Sequence, residues 1–219
     1  MRRETRDTKE EILRVALHLF ARDGYEAVSV SQIAGALGMT KGALYRHYEN
    51  KRDIFLNIVR RMKAGDAEQA EECEMPEGTL EEMPDEYGKV KLEDFARYSK
   101  EMFAYWTEDD FASSFRKMLV LEQFRSTEMQ GLYQQYLVAG PVGYVRDLFK
   151  QMGILRAEEE ALRFYSLMFF FYSLYDGAGD QSARENVTQR FASEVEKFVE
   201  KKGKDNGKDK KDGRKDFEK

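Results

Sequence analysis

Apolar residues recur at spacings of three and four along most of the chain, a period that predicts helices. Ile12, Val15, Ala16, Leu19 and Phe20 fall on one face and predict a first helix from Thr8 to Ala21. Thr8 with Glu11 has the spacing of a capping box, and Gly24 after Asp23 suits a left-handed helix stop. Ile33, Ala34 and Leu37 mark a second helix over Val30–Leu37, opened by Ser29 with Gln32 and closed by Gly38. Thr40 can cap a third helix over Lys41–His47. Asn50 can cap a fourth from Lys51 toward Glu72, with Ile54, Phe55, Ile58, Val59 and Met62 at helical spacing.

Residues 74–89, EMPEGTLEEMPDEYGK, are broken by two prolines and two glycines and predict a loop with helical turns. Long amphipathic patterns follow. They run over Leu92–Trp106, Phe111–Phe124, Met129–Met152 with a break near Gly140-Pro141, Ala157–Asp176, and Ser182–Lys201 with Glu185 completing a capping box. The remainder, from residue 202 to 219, is charged, dotted with glycine and almost without apolar side chains, which predicts a disordered tail. The fold class is all-α, with about nine to ten helices. An N-terminal three-helix module (1–50) leads through a connecting helix (51–73) into a larger helical domain (74–201).

Composition sharpens this reading at three points. The chain of 219 residues carries a net charge of -5, but the charge is uneven. Residues 1–63 hold 13 basic against 8 acidic side chains, residues 64–95 hold 2 against 12, and the last 23 hold 10 against 6. The acidic average thus hides a basic N-terminal module suited to a polyanion. The single cysteine, Cys73, allows no intrachain disulfide and fits a reducing cytoplasm; its acidic neighbours disfavour the thiolate. The apolar run FYSLMFFFYSLY, Phe164–Tyr175, is too short to span a bilayer and reads as buried core, so no membrane partner is expected.

The stretch Val28–Asp53, VSVSQIAGALGMTKGALYRHYENKRD, places two short helices about a turn at Leu37-Gly38-Met39-Thr40. That is the layout of a helix-turn-helix, in which the second helix enters a DNA groove and its N-terminal residues read base edges. Leu44 and Ala43 face inward. Lys41, Gly42, Tyr45 and Arg46 lie outward, and Gly42 permits close approach. Tyr45, His47 and Lys51 offer donors for phosphates. Tyr48 serves equally as core or as phosphate contact, whereas Arg46 reads first as a solvated residue and only second as a DNA contact.

These residues resemble the TetR family of bacterial transcriptional regulators. The resemblance rests on Ile12-Leu13, Ala16, Leu19-Phe20, Gly24-Tyr25, Val30, Ile33-Ala34 and the run Leu37 to Tyr48, extended by Lys51 and Asp53. It covers about residues 8–56; Tyr48 stands where the family often has Phe. What it implies is a homodimer with helices 1–3 on double-stranded operator DNA, a ligand-binding and dimerisation domain beyond, and release of a palindromic operator on binding an effector. The implied DNA-facing positions are Ser29, Thr40, Lys41, Gly42, Tyr45, His47, Tyr48 and Lys51. The last two helices match the dimer elements, for which Phe191, Val195 and Phe198 are the expected apolar contacts.

The second half is dense in aromatic residues. They read as core, as dimer interface, or as the lining of a cavity for a small apolar or aromatic effector. The candidate lining is Phe103, Trp106, Phe115, Met118, Phe124, Tyr133, Tyr136, Met168 and Tyr172. Glu122, within an apolar run, is expected to pair with Arg125 or Arg97, to face water, or to meet a cationic ligand. No spacing suggests catalysis, a metal or a cofactor: His18 and His47 have no ligand cluster and no phosphate-binding glycine loop occurs. The reading is therefore a ligand-responsive repressor of the bacterial or archaeal cytoplasm, associated with the nucleoid. Its rivals are a helical enzyme or carrier with an incidental helix-turn-helix, and a constitutive architectural DNA-binding dimer.

Overall fold

The computed structural model describes the backbone of residues 8–212 and the side chains of 8–204. Among these residues there are eleven helices and no strand. In order they are α1 (Thr8–Asp23), α2 (Val30–Ala36), α3 (Lys41–Leu44), α4 (Lys51–Glu72), α5 (Pro84–Tyr87), α6 (Leu92–Glu108), α7 (Asp110–Glu122), α8 (Thr127–Leu137), α9 (Ala139–Gln151), α10 (Ala157–Asp176) and α11 (Gln181–Asp212). The all-α expectation holds. The count exceeds nine to ten because the 74–89 segment contains the single turn α5, and because the chain breaks at Val138 between α8 and α9. Pro141 then falls in the first turn of α9, where its missing N–H has no intrahelical partner to lose.

The chain divides into two compact units. The first joins residues up to Asp66 with Glu108–Gln134, so α7 and most of α8 belong with the N-terminal helices. The expected boundary at residue 74 assigned both to the larger domain. The physical reason is the apolar face of α7, Phe111, Phe115, Met118 and Leu119, which is buried; α7 lies along α1, whose Ile12, Leu13, Ala16, Leu17 and Phe20 are also buried. Asp109 caps α7 by accepting from the N–H groups of Phe111 and Ala112 at 3.0 and 2.8 Å. In α4, Ile54, Phe55, Ile58 and Met62 supply a buried stripe.

The second unit comprises Ala67–Thr107 and the chain from Gln135 onward. Its core is aromatic. Phe95 packs on Phe149 and Phe164 with ring centroids 4.9 and 4.7 Å apart, and Phe103 stacks on Phe191 at 4.3 Å and on Tyr172 at 5.3 Å. The segment before α6 is held down by phenols: Tyr144 donates to the Pro76 carbonyl at 3.0 Å and Tyr87 to that of Gly78 at 3.0 Å.

Helix α11 starts at Gln181, and Asp180 rather than Ser182 caps it, accepting from the Ala183 N–H at 2.8 Å. It continues past Lys201 to Asp212, where a disordered tail is expected. The correction has a visible cause at Lys202. Its ammonium pairs with Glu160 at 2.8 Å and its side chain is buried, so the first residue of the expected tail is anchored to the N-terminal turn of α10. Residues 213–219 of that tail lie outside the described residues.

Candidate nucleic-acid interface

The turn between α2 and α3 is built by local chemistry. Ser29 accepts from the Gln32 N–H at 3.2 Å while the Gln32 side chain accepts from the Ser29 N–H at 2.7 Å, completing the expected capping box. Gly38 ends α2 at φ +65°, a conformation that costs other L-residues energy. Thr40 caps α3 by accepting from the Ala43 N–H at 3.1 Å. Regular α-helix ends at Leu44, and turns carry the chain to Tyr48, so α3 is shorter than Lys41–His47.

Leu44 is wholly buried and fixes which face of α3 looks outward. Lys41, Gly42, Tyr45 and Arg46 are exposed, Tyr45 to 43%, and His47 is half-buried. The Lys41 ammonium lies 5.6 Å from the centroid of the Tyr45 ring, so the two stand together on the outer face. A Cβ on Gly42 would meet nothing within 4 Å. Nothing among the described residues therefore requires glycine at this helical position, where it costs about 1 kcal/mol against alanine; close approach of an outside group would.

Two of the implied DNA-facing residues bond carbonyls of their own module. Tyr48 is buried and its hydroxyl donates to the Lys9 carbonyl at 3.3 Å, which favours the core side of the open choice. Lys51 is half-buried and donates to the Tyr25 carbonyl at 2.8 Å and to that of Glu26 at 3.4 Å. Its ammonium also sits 4.3 Å from the centroid of the Tyr25 ring. In this arrangement it braces the α1–α2 turn. Tyr25 is itself held between Phe20 and Phe55, each with ring centroids 5.1 Å away.

The segment 108–134 adds contacts that no sequence pattern announces. Glu122 is buried rather than facing water, and accepts from the Tyr25 N–H at 3.1 Å. Arg52 makes two hydrogen bonds to Glu128, one of 2.6 Å, and these bonds hold the Glu128 carboxyl below its ordinary range. His18 meets Asp110 at 2.9 Å, and the Arg61 guanidinium lies 4.5 Å from the centroid of the Phe111 ring while bonding Glu10 at 2.6 Å. Helical periodicity carries no signal for such pairs, because their partners lie on other elements far along the chain.

The candidate effector residues are divided between the two units. Phe115, Met118, Phe124 and Tyr133 belong to the first unit, and Phe103, Trp106, Tyr136, Met168 and Tyr172 to the second. Phe103 and Tyr172 fill space against each other, and Trp106 lies 6.3 Å from Tyr136 between ring centroids. Phe124 is 91% exposed, which removes it from any lining built within the chain. Among the expected dimer contacts, Phe191 and Val195 are buried against their own subunit, and Phe198 stacks on Phe149 at 5.5 Å. The apolar side chains left outward on α10 are Leu162 and Phe170, each 57% exposed. Cys73 is buried and donates to Glu101 at 2.7 Å; burial first, then Glu101, pushes its thiol up to about 12, so it is held protonated.

Comparison with known proteins supports the reading of the N-terminal module. Residues 12–58 match the family model of bacterial regulatory proteins, tetR family. The chain is 42% identical over 57 residues to the HTH-type transcriptional regulator AcrR of Shigella flexneri, covering 26% of each protein. It is 31% identical over 109 residues to the HTH-type transcriptional repressor AcnR of Corynebacterium efficiens, covering 47% of this chain and 57% of that one. The matches thus span less than two-thirds of either relative. A transcriptional regulator from Saccharomonospora viridis, solved in complex with choline, shares the fold with a TM-score of 0.60 at 17% identity, over 87% of this chain and 96% of that one.

Proposed function

We propose, from the premise that the chain belongs to the TetR family of bacterial regulatory proteins, that it is a ligand-responsive, DNA-binding transcriptional regulator. The observation that carries this reading is α3: a helix capped by Thr40 and locked by buried Leu44, with Lys41, Gly42, Tyr45 and Arg46 outward. Its first turn suits base edges in a major groove, and its cations suit phosphates. The finer reading is a homodimeric repressor, released from a palindromic operator by a small apolar or aromatic effector. Leu162 and Phe170 on the outer face of α10 support dimerisation, because an apolar helix face of this kind favours cover by a second copy. Two-fold symmetry would then present two copies of α3 to successive major grooves.

Selection of DNA bound from a random pool, with and without a panel of apolar and aromatic ligands, tests both levels. The expected product is an inverted repeat with half-sites about one helical turn apart, bound less tightly when one ligand is present. Enrichment of no sequence would refute the DNA-binding reading. Enrichment that no ligand in a broad panel alters would refute effector release and favour a constitutive architectural role.

A further inference from the structure

Glu122 ends α7 and is 2% exposed. Burying a carboxylate is unfavourable unless it is paired or hydrogen-bonded. Its Oε1 accepts the Tyr25 N–H at 3.1 Å, across 97 positions of sequence. The approach depends on the preceding residue: Gly24 has φ +89°, and a Cβ there would stand 2.8 Å from the same oxygen. The Tyr25 carbonyl is held independently, by the Lys51 ammonium at 2.8 Å. Both polar backbone atoms of one residue are thus gripped, one from α7 and one from α4, while its ring is fixed between Phe20 and Phe55. Four residues later Ser29 caps α2, and α2 seats α3.

We propose that Glu122 is a positioning residue for the DNA-reading helices, acting with Lys51 as a two-sided grip on Tyr25 that sets the entry of α2. The proposal rests on the DNA-binding reading. Glu122 touches no nucleic acid; it fixes the turn from which α2 and α3 take their orientation. A hydrophobic residue of similar volume would fill the same space without this bond, so the carboxylate is explained by the amide it receives. The grip is also the point where the segment 108–134 holds the α1–α2 turn. A shift of the last turn of α7 by the length of a hydrogen bond would loosen the turn without unfolding α1.

The test uses the full chain in four variants. Glu122→Met keeps the volume and removes the acceptor. Glu122→Gln keeps an acceptor oxygen. Lys51→Met removes the opposite grip, and Phe124→Ala alters an exposed neighbour. Amide hydrogen exchange and affinity for the DNA selected by the unaltered protein are measured for each. The expected result for Glu122→Met is at least tenfold faster exchange confined to residues 24–29, with at least tenfold weaker DNA binding. Glu122→Gln should stay within about threefold of the unaltered protein on both readouts. Lys51→Met should reproduce the confined exchange, and Phe124→Ala should change neither. Unchanged exchange in Glu122→Met, equal losses in its Met and Gln variants, or acceleration spread along α1 would overturn the proposal. Failure of the unaltered protein to bind any DNA would overturn the DNA-binding reading instead, and the exchange measurements would still decide the grip.

Discussion

Lys51→Ala should weaken the protein chiefly by loosening its own α1–α2 turn. The ammonium gives up a charge-assisted hydrogen bond to the Tyr25 carbonyl, worth about 1.5–3 kcal/mol, and a cation–π interaction worth about 0.5–1 kcal/mol. The side chain is 23% exposed, so solvent replaces part of both, and a net loss of about 2 kcal/mol is expected. Lys41→Ala provides the contrast. Lys41 is exposed on α3, so its removal should leave stability within about 0.5 kcal/mol. It should instead flatten the dependence of DNA affinity on salt, by about 0.9 for each phosphate no longer neutralised, or about 1.8 for a two-fold dimer. Urea unfolding measures the first quantity, and fluorescence anisotropy with selected DNA across a salt series measures the second. Lys51→Ala with unchanged stability and a flattened salt dependence would refute the bracing role and return Lys51 to the phosphates.

Three further outcomes follow from burial and exposure. Burial pushes the Asp66 carboxyl up to about 7, and its Oδ1 has no hydrogen-bond partner among the described residues. Below about pH 4 both folded and unfolded chains hold this proton; from there to pH 7 only the folded chain does, so stability falls as pH rises and the loss is complete above 7. The full shift corresponds to roughly 4 kcal/mol, and partial exposure lowers the expected loss to about 2 kcal/mol. Asp66→Asn should therefore stabilise the protein at pH 8 and hardly at pH 4 in paired urea titrations; equal effects at the two pH values would contradict this. Leu44→Ala, at a wholly buried site, should cost about 2–5 kcal/mol and abolish DNA binding; thermal unfolding followed by circular dichroism with a loss under about 1 kcal/mol would count against its locking role. Leu162→Ser with Phe170→Ser should yield a folded monomer in sedimentation velocity, and a persistent dimer would place the interface away from this face of α10.

Helix existence is legible because it follows from local spacing. The α10 boundaries, Ala157–Asp176, coincide with the apolar pattern, and the Ser29–Gln32 box is a contact within one turn. Elements set by distant partners are not legible. Lys202, the first residue of the expected tail, is held by Glu160, and a lysine within a charged run reads as solvated until its partner is known. The membership of α7 in the first unit is of the same kind. Its apolar face announces that it must be covered, but periodicity does not say by what, and the cover is α1. Phe191 and Val195 show the converse error. Their stripe reads as needing a second copy, whereas Phe103 and Phe171 of the same chain already pack on Phe191.

At the interface, legibility divides by what a side chain's far end does. Leu44 has no polar end, so its burial can be read from the pattern and the rest of α3 oriented from it. Tyr48 and Lys51 carry a polar group on an apolar stem, and such residues can satisfy that group either on DNA or on a buried carbonyl. The folded surroundings choose, and here both bond carbonyls of their own module, at Lys9 and at Tyr25. On the proposed DNA-binding reading, the residues left outward and uncommitted are Lys41, Gly42, Tyr45 and Arg46, while the exposed Ser29 and Thr40 also serve as caps and His47 is half-buried. Arg46 therefore gains weight, since it keeps an exposed cation beside Tyr45 while Lys51 is engaged elsewhere. Specificity should accordingly reside in the first turn of α3, and affinity in how firmly Tyr25 and its neighbours hold that turn in place.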